Sequence, residues 1–271
     1  MPGKMGLIDT HCHLCHAQLR RNMPAVLGRS RQAGVAAVIC AGADLQESNQ
    51  ATALAGQEPD VYCTAGVHPH EAKTAASDYL AQIERLAGEK KNVAVGEMGL
   101  DYHYNLSPPA DQRKVFAEQL ELAKKLAKPV VVHSREAFDD TLSILAESGV
   151  DCSRVVFHSF TEDLGGLRRA LKLGAMIGFS GIVTFKNASQ LREVARDVPD
   201  DKLLIETDAP YLSPEPVRKI KINEPANVSY VAACIASVRG TPPERLADLT
   251  AANAIRLFGL KLDAVQPESG P

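Results

Sequence analysis

Eight short β-rich runs recur along the chain, each separated from the next by a longer segment: "GLID", "VAAVICAG", "VYCTAGV", "VAVGEMG", "PVVVHS", "RVVFHSF", "GAMIGFSG" and "KLLIETD". Most are apolar nearly throughout, the pattern of a strand buried on both faces in a parallel sheet. The intervening segments have helical periodicity. In "SPPADQRKVFAEQLELAKKLAK", Val115, Leu120, Leu122, Ala123 and Leu126 form one apolar face, and Pro108 and Pro109 stand where a helix start tolerates proline. Two more helices are expected near 225–239 and 242–258, before a polar tail, "KLDAVQPESGP". Eight β/α units fit an α/β fold of one kind, a single TIM-type (β/α)8 barrel. One domain is expected over residues 1–271, with its core at about 6–259.

Composition narrows the function classes. No apolar run approaches the roughly 20 residues that span a bilayer, and "MPGKMGLIDT" lacks the apolar stretch of a signal peptide. A cytoplasmic protein is expected, with no membrane attachment and no obligate protein partner. The six cysteines are scattered, several in apolar runs where a thiol acts as a small core residue, so no disulfide framework is expected. A net charge of −3 gives no global field to draw in polyanions, so any affinity for nucleic acid must come from a local site.

In a parallel barrel the side chains at the C-terminal strand ends converge on one pocket. His11 and His13 follow the first run, His68 the third and Asp208 the eighth, while Glu97, His133 and His158 end the fourth, fifth and sixth. Scattered core or surface histidines would rarely collect at strand ends, so a joint metal site is expected.

The stretch "DTHCHLCH" poses a choice, because Cys12 and Cys15 have the spacing of a zinc knuckle and His11 and His13 that of a catalytic strand end. Residues two apart on a strand share a face, so His11 and His13 point together and Cys12 points away. A knuckle also needs a second ligand pair at short spacing, which the sequence does not offer. Six ligand candidates exceed one tetrahedral ion and imply two, with Glu97 bridging, His11, His13 and Asp208 on one, and His133 and His158 on the other. Two divalent cations, two carboxylates and a hydroxide leave a charge of about +1, suited to a phosphodiester. Mg²⁺, Mn²⁺ and Zn²⁺ all remain candidates.

The motifs "IDTHCHL", "GVHPH", "GEMGLDY", "PVVVHSREA", "FHSF", "GFSGIVTFKNA", "LLIETDAPYLSP" and "NEPANV" together resemble those of the TatD family of metal-dependent deoxyribonucleases, from residue 7 to about 259. The resemblance implies a TIM barrel, a two-metal site, and hydrolysis of DNA phosphodiesters with 3′-to-5′ exonuclease action on single strands. Carried over residue by residue, it implies the ligands His11, His13, Glu97, His133, His158 and Asp208. Related amidohydrolases often bridge their metals with a carboxylated lysine, but "VGEMGLDY" offers Glu97 and no lysine.

Other polar residues complete the expectation. His68, surplus to the ligand count, is assigned to a substrate phosphate, as are Arg135 after His133, Lys186, and Arg218 in the run "RKIK". Glu206 is expected to orient a ligand from behind. Asp208 is the candidate general base and Glu97 holds the metal pair. Tyr102 and Tyr104 are weighed as base-stacking residues against local packing. The expected function is DNA phosphodiester hydrolysis. Hydrolysis of a carboxylic ester, amide or aminoacyl bond stands as the alternative, and a non-catalytic nucleic-acid-binding protein stands behind it.

Overall fold

The computed structural model describes residues 5–262, and the expected polar tail lies, from residue 263 on, outside the described residues. Eight parallel strands follow one another in sequence order around a single sheet. They are β1 (Leu7–Cys12), β2 (Val35–Cys40), β3 (Val61–Ala65), β4 (Asn92–Asp101), β5 (Val130–Arg135), β6 (Val155–Phe157), β7 (Met176–Phe179) and β8 (Leu203–Ile205). Helices cross between them, so the expected TIM barrel is the fold, nearly closed on itself. Among the described residues no helix is long and apolar enough to cross a membrane.

The helix Pro109–Leu126 begins at the expected prolines and buries Val115, Phe116, Leu120, Leu122 and Ala123, with Leu126 only partly covered. It also buries Gln112 and Gln119, whose amides bond backbone at Asp101 and Val67 and so tie the helix to the strand ends. The last two helices are Val228–Arg239 and Pro243–Phe258.

Alternation along the strands divides the interior. Val131, Val156 and Leu204 belong to an apolar cluster with Ile39, Tyr62 and Met176, and it is closed by Leu257, Phe258 and Leu260 at the end of the chain's last helix. Two residues further on stand His133 within β5, and His158 and Glu206 one residue past β6 and β8, where backbone bonds to Val132 and Phe179 continue the pairing. The floor of the barrel is therefore apolar and its upper layer is polar.

Glu97 joins that layer through an irregularity. Strict alternation from Ala94, which packs in the inner cluster, and Val95, which packs in the outer one, would turn Glu97 outward. The β4–β5 register shifts between Val95 and Met98, and a shift of this kind re-aims a side chain. Gly96 makes it possible: its φ is +140°, and a Cβ there would lie 2.6 Å from the Val131 carbonyl oxygen.

The seam between β1 and β8 is closed by polar contacts. Asp9 accepts hydrogen bonds from the Thr207 amide at 2.9 Å and the Thr207 hydroxyl at 2.5 Å, and Thr10 Oγ1 donates to Ile205 O. Further up, Asp208 N donates to His11 O and His13 N to Ala209 O. Replacing Thr207 by valine keeps the shape and leaves Asp9 short of a buried partner, so stability should fall by roughly 1–3 kcal/mol. Urea unfolding of Thr207→Val against the unchanged chain measures this, and an unshifted midpoint would remove the seam from the account of stability.

Candidate metal centre

The ends of β1, β3, β5, β6 and β8 deliver polar groups to a shared point at the end of β4, the carboxylate of Glu97. Its Oε1 lies 2.8 Å from His158 Nε2, 3.0 Å from His133 Nδ1 and 3.4 Å from His68 Nε2. Its Oε2 lies 3.2 Å from His11 Nε2 and 3.5 Å from His13 Nε2. Asp208 Oδ1 stands 3.6 Å from His13 Nε2 and 3.8 Å from His11 Nε2. The two oxygens of Glu97 thus face two different sets of donors.

These donors fit a divalent ion. Imidazole nitrogens face each other at 3.3 Å between His11 and His13 and at 3.2 Å between His133 and His158, so lone pairs converge on a common space. Three groups bring ligand atoms within 4.8 Å of one another: His11, His13 and Glu97; His68, Glu97 and His133; and His11, His158 and Asp208. Among the described residues no such group includes a cysteine. Cys12 is buried with its thiol against the Ile39 carbonyl, and Cys15 packs beside Cys40 with 3.9 Å between sulfurs.

Carboxylates behind the histidines fix their orientation. Asp101 Oδ2 meets His133 Nε2 at 3.2 Å and His70 Nε2 at 2.9 Å. Glu206 Oε1 meets His158 Nδ1 at 3.3 Å while accepting from the Ser159 amide at 2.6 Å. Glu47 Oε2 stands 3.8 Å from His13 Nδ1. In each case one ring nitrogen is engaged from behind and the other is left to face Glu97. His68 is set differently: its Nδ1 accepts from the His70 amide, which turns Nε2 to Glu97.

The charges are strongly coupled. Burial pushes Glu97 up, but the charges of His158, His68 and His11 outweigh it and hold the carboxyl well below its ordinary range. Asp208 is likewise pushed up by burial and brought below its usual value by the His13 hydrogen bond and neighbouring histidine charges. Burial lowers His13, but hydrogen bonds to Asp208 and Glu47 and the charge of Glu97 raise it to about 10. His133 and His158 are raised against burial by the same kind of carboxylate contacts, whereas burial drives His68 down to about 4.

The structure brings together all six of the sequence's ligand candidates, with His68 beside them and Glu206 behind them. Arg135 ends β5, is exposed and stacks on Tyr104. Lys186 and Arg218 are exposed in the loops after β7 and β8, and neither hydrogen-bonds nor ion-pairs with the cluster. Arg218 instead lies over the Phe185 ring at 3.8 Å, so the two loops meet. Tyr102 packs locally, its hydroxyl on Asp140. Sequence reasoning missed Asp101 and Glu47. Asp101 had a signal, four residues past Glu97 in "GEMGLDY" and on the end of the same strand, whereas Glu47 reaches the site from the first turn of helix Leu45–Gln57 and had none.

A parallel barrel carrying histidines and carboxylates at the C-terminal ends of its strands defines a metal-dependent hydrolase. The family model described as TatD related DNase matches residues 8–259. A metal-dependent hydrolase of Escherichia coli strain K12, YcfH, is 40% identical over 266 residues, covering 97% of this chain and 99% of that protein. The 3′-5′ ssDNA/RNA exonuclease TatD of Erwinia tasmaniensis is 39% identical, covering 94% and 100%. The crystal structure of the TatD homologue YjjV of Escherichia coli superposes with a TM-score of 0.90 at 30% identity, covering 96% of this chain and all of that one. The chain belongs to the TatD family.

Two measurements follow from this geometry. Because His13 is raised to about 10 by its carboxylate partners, it carries a proton at neutral pH in the metal-free protein, and an ion must displace it. Loading Zn²⁺ or Mn²⁺ into metal-free protein should therefore release protons into a weakly buffered indicator solution, and affinity should climb as pH rises from 6 to 8. Uptake without proton release would contradict the charge assignment. Asp101→Asn should weaken metal binding by roughly ten- to a hundredfold with circular dichroism unchanged. Unaltered affinity would show that Asp101 does not position His133.

Proposed function

We propose that the protein is a nuclease hydrolysing phosphodiester bonds of single-stranded nucleic acid from the 3′ end, with two divalent ions of the Mg²⁺, Mn²⁺ or Zn²⁺ kind. His11, His13 and Asp208 would hold one ion and His133 and His158 the other, with Glu97 available to both. The observation that carries this reading is the division of the Glu97 carboxylate, with His11 and His13 at one oxygen and His133, His158 and His68 at the other. Support for the substrate comes from the family description and the exonuclease relative from Erwinia tasmaniensis.

Bound divalent ions supply Lewis-acid charge at the phosphate and acidify a water for attack. The chain's own groups do the rest. The Asp208 side chain is 15% exposed against 3% for Glu97, so Asp208 is the carboxylate that meets water and takes its proton. Its depressed pKa keeps it ionised and able to accept. We assign to His68, which burial holds as a neutral imidazole, a hydrogen bond to a phosphate oxygen, while Glu206 and Asp101 keep His158 and His133 turned inward. Arg135, Lys186 and Arg218 meet phosphates beyond the reacting one. We assign the protein to a reducing compartment such as the cytoplasm, on the scatter of its six cysteines along the sequence with no disulfide framework.

The deciding experiment strips the metal, reloads Mg²⁺, Mn²⁺ and Zn²⁺ separately, and assays labelled single-stranded DNA, RNA, duplex DNA and a carboxylic ester. Single strands should be cleaved best, with Glu97→Ala losing metal and nearly all turnover and Asp208→Asn losing at least a hundredfold in kcat. Turnover of the ester alone would replace the nuclease by an esterase or amidase. Strand binding without cleavage would leave a binding protein.

A further inference from the structure

Among the described residues six large apolar side chains are exposed, and five of them lie in the loops after β4 and β8, at the mouth of the barrel: Tyr104, Leu106, Tyr211, Ile220 and Ile222. Exposed apolar groups are ordinary when scattered, but a collection around a reactive pocket marks a contact surface. The two aromatic members flank the cluster from opposite sides. Tyr211 has its ring 6.1 Å from that of His13, on the Oε2 side of Glu97. Tyr104 lies 5.6 Å from His70, whose ring is 6.3 Å from that of His133, on the Oε1 side. They are 50% and 55% exposed, respectively.

Both rings stand on anchored backbone. Tyr211 N donates to Asp208 O, and Tyr104 N donates to Asp101 Oδ1. Each platform is thus tied to a residue that also faces a histidine of the cluster. The Arg135 guanidinium lies 4.6 Å from the Tyr104 ring centre and makes no ion pair among the described residues, which leaves its charge for a ligand. An aromatic face on either side of a phosphate-handling site, with a cation beside one of them, has the chemistry of a nucleotide strand: π-faces for the bases and positive charge for the backbone.

We propose that Tyr104 and Tyr211 are stacking platforms for the bases flanking the scissile phosphate, and that they make the site selective for unpaired nucleotides. This rests on the nuclease reading above. Base faces inside a duplex are already covered by their neighbours, so only a single strand can offer them to two separated rings without unstacking. Discrimination against duplex then resides in these two side chains rather than in the metal centre.

The test compares metal-loaded enzyme with Tyr104→Leu, Tyr211→Leu and the corresponding phenylalanine variants, each checked for metal content and circular dichroism. On single-stranded oligonucleotides the leucine variants should raise KM about tenfold each, with kcat much less affected, and phenylalanine should restore most of the loss. The factor separating leucine variant from parent should collapse when the flanking nucleotides are abasic. The chain has no tryptophan, so quenching of tyrosine fluorescence by an oligonucleotide offers a second reading, and it should diminish in either leucine variant. Leucine variants with parental KM on ordinary oligonucleotides, or equal losses on abasic ones, would overturn the stacking role while leaving the nuclease reading intact. Failure of the parent enzyme to cleave any oligonucleotide would bring down the nuclease reading and this inference with it.

Discussion

Asp9 of β1 reaches across to Thr207 beyond β8, and this contact, with the hydrogen bonds beside it from Thr10, Asp208 and His13, joins two edges that would otherwise leave the sheet a curved ribbon. The pair is buried and charge-sensitive: desolvation pushes the Asp9 carboxyl up to about 8 against the hydrogen bonds from Thr207. A buried carboxyl is tolerated there because its oxygens have partners in the other edge. The backbone contacts above it run through His11, His13 and Asp208, so the segments that close the barrel also carry three groups of the metal centre. Closure and function are therefore not separable at this seam. A change that opens it must also move Asp208 away from the two histidines.

The centre concentrates ionisable groups at a depth where each would be costly alone. Five histidines press on one carboxylate, and their pKa directions diverge: His13, His133 and His158 are raised by carboxylates close by, while His68 is driven down by burial. Position in the supporting layer decides which way a ring goes. The three raised histidines each have a second carboxylate near the outward-facing nitrogen, whether Glu47, Asp101 or Glu206, and His68 has a backbone amide instead. Breaking a supporting carboxylate thus changes the basicity of a ring as well as its aim.

The barrel was legible in the sequence because parallel strands covered on both faces leave continuous apolar runs, and eight of them admit few arrangements. The convergence of His11, His13, Glu97, His133, His158 and Asp208 was legible for a related reason: a barrel places strand ends together whatever their separation in the chain. Glu97 is the instructive case. Simple alternation would have turned it toward the helices, and its placement depends on a register shift beside Gly96 that no periodicity reveals. Glu47 was invisible because it comes from a helix, where reach depends on packing rather than on pattern. Tyr211 went unremarked because a tyrosine in a loop has no signature until its neighbours are known.

The apolar floor bears on how a long molecule can be handled. Ile39, Tyr62, Met176 and Leu204 fill the lower barrel, and Leu257 and Phe258 of the last helix pack against it. Among the described residues this packing closes the cleft from below, leaving no rear exit through which a polymer could be drawn. Whatever is cut must back out by the door through which it came. Under the nuclease reading, a terminus suits such a dead end better than the middle of a chain, and each released mononucleotide must leave before the strand can advance by one step.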